Sequence, residues 1–265
     1  MAGLNQKGAK MEELFDRSKE TMPPEEREKY FDEKAKWIVD YAYKNCPGVK
    51  KRLDKAGVNP SQINCVKDLE KIPVLNMREL VKLQRANLPY AGLLAVPHNR
   101  LPAIYVSPGP IYSTTGSAQS MRMATKMCSI VGFRKGDIVI NSFSHHLTPA
   151  GLGLDQALLQ VGATVIPAGT GNSELQVQIM HELGVTGYVG TPSFLKVLID
   201  RAEEKGYDFR QDFKLKRAVF SAEILPPSLR ASFEQDYGID VSQAYLTQVG
   251  FLGYECSAKS GMHIP

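Results

Sequence analysis

Residues 137–167, DIVINSFSHHLTPAGLGLDQALLQVGATVIP, set two short β-branched runs, 137–142 and 164–167, on either side of a segment of helical length. The same alternation extends in both directions. A run at 104–106 precedes it, and runs at 186–189, 217–221 and 240–245 follow, with helical stretches between them. Strands alternating with helices predict a parallel sheet with crossover connections. The punctuation agrees. Ser173 and Gln176 have the spacing of a capping pair, Thr191 and Pro192 offer an N-cap with proline at the first helical position, and Gly206 and Gly238 suit left-handed helix ends.

Upstream the pattern is helical. Over 24–46, Phe31, Ala35, Ile38 and Ala42 recur at helical spacing, with Pro24 suited to a first turn and Glu25 and Glu26 favourable beside the helix dipole. A second helix over 49–56 closes at Gly57, and Asn76 with Glu79 has the capping-box spacing that starts a third, running to Asn87. The expected fold is α/β: a mainly helical segment over 1–100, then a parallel or mixed sheet with crossover helices over 101–265.

The 265 residues are 43% hydrophobic and 23% charged, the composition of a globular protein with one large domain or two small ones. A formal charge of +4 suits a polyanionic ligand such as ATP or coenzyme A, and is too diffuse for a nucleic-acid footprint. Cys46, Cys65, Cys128 and Cys256 show no CxxC pairing, so neither a disulfide framework nor a zinc ribbon is indicated. Cys256 and His263 are two ligands where a structural zinc needs four, so no metal site is expected from them. The first 20 residues have no apolar signal core, and nothing approaches the roughly 20 apolar residues of a membrane span. A cytoplasmic protein without membrane insertion is the expectation.

In sheets of this kind ligands gather in loops at the carboxyl ends of strands. The most distinctive such loop follows the 104–106 run and reads SPGPIYSTTGSAQSMRM, residues 107–123. Small hydroxyl residues and a glycine let backbone N–H groups approach phosphate oxygens, and Ser113, Thr114, Thr115 and Ser117 add side-chain donors. It is not a Walker loop, since GxxxxGK[ST] is absent, and no GxSxG elbow suggests a serine hydrolase.

The segment STTG at 113–116 resembles the phosphate loop of adenylate-forming ligases, whose usual form is SSGTTG followed by Lys-Pro. The surroundings are similar to phenylacetate-CoA ligases in particular. AGVNPSQINCVKDLEKIPVLNMREL and YAGLLAVP precede the loop; NSFSHHLTPAGLGLDQALLQVGATVIPAGTGNSELQ, TGYVGTPSFLKVLIDRAEEKG and FSAEILPPSLRASFEQDYGIDVSQAY follow it, in the family's order and spacing. The likeness runs from Phe31 to Pro265. It implies that both segments belong to one incomplete large domain of an enzyme that activates an aryl or arylacetic acid as acyl-adenylate and then forms its coenzyme A thioester. ATP/AMP, Mg²⁺ and coenzyme A are the implied cofactors, a small carboxylic acid the substrate, and a homodimer a possible assembly.

The resemblance also assigns residues. Ser113, Thr114, Thr115, Gly116 and Ser117 would embrace the ATP phosphates. Ser221, Ala222 and Glu223 would line the adenine with their backbone, while Gln243, Ala244 and Tyr245 lie beneath the base with Tyr245 packed on the purine. Thr247 would meet the α-phosphate, making Thr115, Thr247 and Gln248 the candidates for the chemical step. The acyl pocket falls on Phe143, Pro149, Ala150, Gly151 and the His145–His146 pair, of which His146 is taken to face the substrate.

Three departures accompany the likeness. Ser117 and Ala118 stand where the family has Lys-Pro, with Arg122 and Lys126 as candidate replacement cations. AYLTQVG is one residue shorter than the family's Tyr-Gly-x-x-acidic motif, with Gln248 at the carboxylate position. The sequence given ends before the family's ribose aspartate, hinge and catalytic lid, so these 265 residues alone are expected to be inactive; the alternative is a non-catalytic nucleotide- or acyl-adenylate-binding remnant.

Overall fold

The computed structural model describes residues 16–107, 109–114, 118–247 and 250–264. They form two compact units, Met1–Thr115 and Gly116–Pro265.

The first unit carries helices α1 (Arg17–Glu20), α2 (Pro24–Asn45), α3 (Pro47–Lys55) and α4 (Met77–Ala86), then strands β1 (Ile104–Ser107) and β2 (Ile111–Thr114). Its small core joins Val39 of α2 to Leu53 of α3 and to Val58 and Ile63 beyond it. The buried stripe of α2 therefore runs through Ala35 and Val39, and the expected Phe31 and Ile38 lie exposed. Two apolar stripes share Ala35 on this helix, and the neighbouring α3 covers the one holding Val39. Helix α3 ends as expected, with Gly57 left-handed at φ 68°. Asn76 caps α4 by accepting from Glu79 N at 2.9 Å, but the Glu79 carboxylate does not return to close the box. It binds Arg52 of α3 at 2.5 Å instead.

Asp68 organises the 3-10 turn before α4. It accepts from the Asn64 and Cys65 backbone N–H groups at 2.7 and 3.2 Å and pairs with Lys71 at 2.8 Å. The Lys71 hydrogen bond, followed by the Asn64 N–H, holds its carboxyl well below the ordinary range. A depressed folded value means that this stabilisation is present above the unfolded carboxylate value of about 3.9 and is lost as pH falls through the folded one. Asp68→Asn should accordingly lower the thermal midpoint at neutral pH, with the difference from wild type vanishing in strong acid. A difference independent of pH would refute this.

Strand β1 does not join the parallel sheet as expected. It pairs antiparallel with β2, Ile104 opposite Thr114 and Ser107 opposite Ile111, so residues 112–114, read as loop, are strand. The Gly109–Pro110 turn signal between two β-branched runs is the local reason. Buried Gln84 of α4 holds β2 by both backbone groups of one residue, donating to Tyr112 O and accepting from Tyr112 N, each at 2.9 Å.

The second unit is the expected α/β sheet. Strands β3 (Ile138–Asn141), β4 (Thr164–Ile166), β5 (Gly187–Gly190), β6 (Arg217–Phe220), β7 (Asp240–Thr247), β8 (Gly250–Glu255) and β9 (Met262–His263) stand in the order β4-β3-β5-β6-β7-β8-β9. Pairing is parallel from β4 to β7 and antiparallel from β7 to β9. Helices α5 (Ala118–Ile130), α6 (Pro149–Gln160), α7 (Ser173–Glu182), α8 (Pro192–Glu204), α9 (Phe209–Asp212) and α10 (Pro227–Ala231), with a π-turn at Ser232–Asp236, complete it.

Alternate strand residues serve two cores. Ile140, Tyr188, Ala218 and Phe220 pack with α7 and α8 residues, while Val139, Val189 and Val219 pack with α5 and α6 residues. Successive side chains leave opposite faces of a strand, so the two clusters lie on the two faces of one sheet. Thr191 caps α8 as expected, accepting from Phe194 N at 3.3 Å. The expected capping pair at α7 is corrected: Asn172, left-handed at φ 48°, precedes the helix without a side-chain cap bond, and Gln176 is buried in other bonds. Among the described residues no helix is long and apolar enough to cross a membrane.

Candidate functional site

Chain order reverses between β3 and β5, because the connection from β3 leads outward to β4 and the chain then returns to lay β5 on the other side. Such a switch point opens a crevice at the carboxyl ends of the strands. The loops after β3, β5 and β6 are delivered to that edge.

The loop after β3 is built on Asn141, which is fully buried. Its amide donates to Gly151 O at 2.9 Å and to Asp155 at 2.6 Å, and its oxygen accepts from Phe143 N at 3.0 Å. Asp155 also holds His145 Nε2 at 2.8 Å. Ser144 O accepts from Gly151 N at 3.2 Å, and a Cβ at Gly151 would come within 2.5 Å of that oxygen, so the loop closes on α6 only through glycine. Of the expected acyl residues, Phe143 and Gly151 are buried and Pro149 and Ala150 are half-buried at the start of α6. His146 is exposed, and His145 is the histidine with a carboxylate partner. Ser142 Oγ donates at 2.7 Å to Gln176, whose amide nitrogen binds Gly169 O and Gly171 O at 2.9 and 2.8 Å. The loops after β3 and β4 are thus tied together.

Within β5, Tyr188 donates its hydroxyl to Thr191 O, just past the strand, at 3.1 Å, and burial pushes the phenol pKa up, keeping it a neutral donor. After β6 the chain enters Ser221–Leu225. Ser221 is buried and Ala222 adopts φ 69°, a left-handed conformation unusual for a residue with a Cβ. Glu223 turns its carboxylate to the start of α8 and accepts from Ser193 N at 3.3 Å. Leu225 N donates to Gln243 Oε1 at 2.9 Å. Between these two clamps the turn is held while Ile224 remains 87% exposed.

Strand β7 places Gln243 and Tyr245 on one face, two residues apart. Gln243 also donates from Nε2 to Glu255 at 3.3 Å, and Glu255 is a buried carboxylate paired with Arg230 at 2.7 Å. Ala244 is buried in the core, whereas Tyr245 is 55% exposed. Its neighbour across the strands is Gly253, which has no side chain to cover the ring. Thr247, at the end of β7, donates to Gly250 O at 3.3 Å.

Of the phosphate residues expected over 113–117, only Ser113 and Thr114 are described. Thr115, Gly116 and Ser117, like Gln248, lie outside the described residues. Ser113 and Thr114 are in β2 of the first unit; Thr114 donates to Ala103 O at 3.3 Å, and the buried Ser113 Oγ has no hydrogen-bond partner among the described residues. No group of three or more His, Cys, Asp or Glu among the described residues could hold a metal ion. Sequence reading missed Gln84, Asn141, Asp155, Arg230 and Glu255. Each is polar and well buried or half-buried, and its role depends on a partner distant in the chain.

No protein-family model matches the chain. It is 32% identical over 220 residues to the phenylacetate-coenzyme A ligase of Pseudomonas putida, covering 80% of this chain and 49% of that protein. The corresponding enzyme of Aromatoleum evansii is 30% identical over 220 residues with the same coverage. The chain therefore spans about half the length of these relatives. Among solved structures, 2-hydroxyisobutyryl-CoA ligase in the postadenylation state in complex with 2-HIB-AMP superposes with a TM-score of 0.85 at 25% identity, over 93% of this chain and 55% of that one.

Proposed function

We propose, from the premise that the chain is a phenylacetate-CoA ligase-like member of the acyl-adenylate-forming enzymes, that the carboxyl edge of its second unit binds an acyl-adenylate. The whole protein would activate a carboxylic acid with ATP and pass the acyl group to coenzyme A. The observation that carries this reading is the clamped turn Ser221–Leu225 beside a strand whose Tyr245 ring is exposed opposite a glycine.

The side chain of Glu223 is taken up by α8, so the turn has backbone groups to offer an adenine edge. The Tyr245 ring offers a face for the purine. Thr247 is proposed to meet the α-phosphate, and Ser113, Thr114, Thr115, Gly116 and Ser117 to donate to the phosphates. Phe143, His146, Pro149, Ala150 and Gly151 are proposed to border the acyl group. In the first half-reaction a carboxylate oxygen attacks the α-phosphorus and pyrophosphate leaves; in the second a thiol attacks the acyl carbon and AMP leaves. Donors fixed before the reaction stabilise charge as it develops on the phosphates. The described residues do not supply a protein cage for Mg²⁺, which would take its ligands largely from phosphate oxygens and water.

Tyr245→Ala should weaken ATP and AMP binding by roughly tenfold, the scale of one lost aromatic stacking contact, while Tyr245→Phe stays near wild type. Calorimetry on the protein carrying these residues measures it. Equal affinity in wild type and Tyr245→Ala would remove the observation on which the reading rests. Pyrophosphate exchange dependent on an aryl acid, measured with the chain joined to a catalytic lid, separates the ligase from its alternative: nucleotide binding with no exchange across a broad acid panel in that protein favours a binding remnant.

A further inference from the structure

The resemblance sets Gln243 beneath a base, yet both ends of its amide are engaged within the protein. Oε1 accepts from Leu225 N at 2.9 Å and Nε2 donates to Glu255 at 3.3 Å. The amide can sit only one way round, because Leu225 N–H is solely a donor and an ionised carboxylate solely an acceptor. Glu255 is itself fixed. It is buried, receives Arg230 through both carboxylate oxygens at 2.9 and 2.7 Å, and accepts from Gln243 N at 2.8 Å. Arg230 is anchored in turn on Val241 O at 3.1 Å. The chain of bonds runs from α10 through β8 and β7 and ends on the backbone of the turn that follows β6.

We infer that Gln243 is a positioning residue: it holds the Ser221–Leu225 turn to the strand carrying Tyr245, and the Glu255–Arg230 pair dictates the orientation of its amide. This rests on the nucleotide reading of that turn for its functional consequence, but the mechanical part does not. The left-handed Ala222 explains the need for a tether. A non-glycine residue in that conformation is strained and persists only where its surroundings hold it. Glu223 on Ser193 N supplies one hold and Gln243 on Leu225 N the other, on opposite sides of Ile224.

Gln243→Glu tests orientation and position together. The charged groups around the amide are Glu255 from β8 and, behind it, Arg230 from α10; Arg230 meets Glu234 at 3.6 Å, Glu234 shares Lys259 with Asp240, and Glu223 on the turn faces Ser193. At about pH 8 the introduced carboxylate would face Glu255 with no proton to donate, and at about pH 5 a proton shared by two adjacent carboxyls would restore the donor. Two readouts are needed: amide exchange at Leu225 without nucleotide, and ATP affinity by calorimetry.

In Gln243→Ala, Leu225 exchange should quicken and ATP affinity fall, each roughly tenfold. Gln243→Glu should show both effects at the higher pH and recover toward wild type at the lower one. The inference is overturned if Leu225 exchange is unchanged in Gln243→Ala, including the case where affinity falls, since that result means direct contact with the base. It is also overturned if exchange quickens with affinity intact, or if Gln243→Glu behaves alike at both pH values. Should wild type bind no ATP while Leu225 exchange responds as described, the nucleotide reading fails and the positioning of the turn stands. Recovery of Gln243→Glu at low pH also shows that the variant retains its fold.

Discussion

Arg230→Ala is expected to lower the unfolding free energy by about 3–5 kcal/mol, because it leaves the Glu255 carboxylate buried without its cation. The magnitude follows from where the pair sits. The Glu255 side chain is 7% exposed and that of Arg230 20%, and their bonds at 2.9 and 2.7 Å use both carboxylate oxygens. Surface pairs such as Lys44–Asp40, 67% and 50% exposed, are worth about 0–1 kcal/mol by contrast. The loss would appear as a lower denaturant midpoint at unchanged slope. A second replacement identifies the cause: Arg230→Ala combined with Glu255→Gln should recover a large part of the loss, because no charge is stranded and an acceptor remains for Gln243 N. If the double variant is no more stable than Arg230→Ala, the stranded charge is not the source.

Asn141→Leu should be comparably damaging, roughly 3–5 kcal/mol, although it keeps the side chain's bulk. Three groups lose their partners: Gly151 O and Phe143 N, both buried, and one oxygen of the half-buried Asp155. The effect should also be local. With Asn141 gone, Asp155 keeps His145 but loses its link to β3, so the loop over 142–151 is released at its base. Limited proteolysis should find new cleavage within that loop while β5 to β7 stay protected. Asn141→Asp provides a control of equal size, since it removes both donations and sets two carboxylates side by side. A stability change below about 1 kcal/mol in both variants would contradict the accounting of buried partners.

The parts of the fold readable in sequence were those with a local signal. Strands β3 to β7 announce themselves as β-branched runs between helices, and Thr191, Gly206 and Gly238 mark ends that the structure has where expected. Strand β8 is GFLGYE, whose two glycines and lack of alternation give no local strand pattern; it exists because β7 offers it an edge. The buried face of α2 was misjudged for a similar reason, since only the position of α3 chooses between two stripes that share Ala35.

The site divides along the same line. Ser221–Glu223 and Tyr245 were legible as residue types in order, and Tyr245 is exposed. Their supports were not. Glu255 lies 12 residues from Gln243 and 25 from Arg230, and Gln84 lies 28 from Tyr112. Nothing in a one-dimensional pattern distinguishes such a glutamate or glutamine from a solvated one. Only the closed hydrogen-bond geometry does so.

The β7–β8 hairpin stores slack. Tyr245 faces Gly253 but the next residue, Leu246, faces Phe251, so Leu252 is left over; pairing then resumes between Thr247 and Gly250. The segment AYLTQVG is one residue shorter than the motif it resembles, and β8 carries one residue more than β7 at the Tyr245–Leu246 step. A bulge confines such a mismatch to a single step of the ladder. The parallel strands behind it need no shift, and Tyr245 keeps its place opposite a glycine. A change in chain length beside the exposed ring can thus be absorbed by the outer strand, leaving the parallel strands undisturbed.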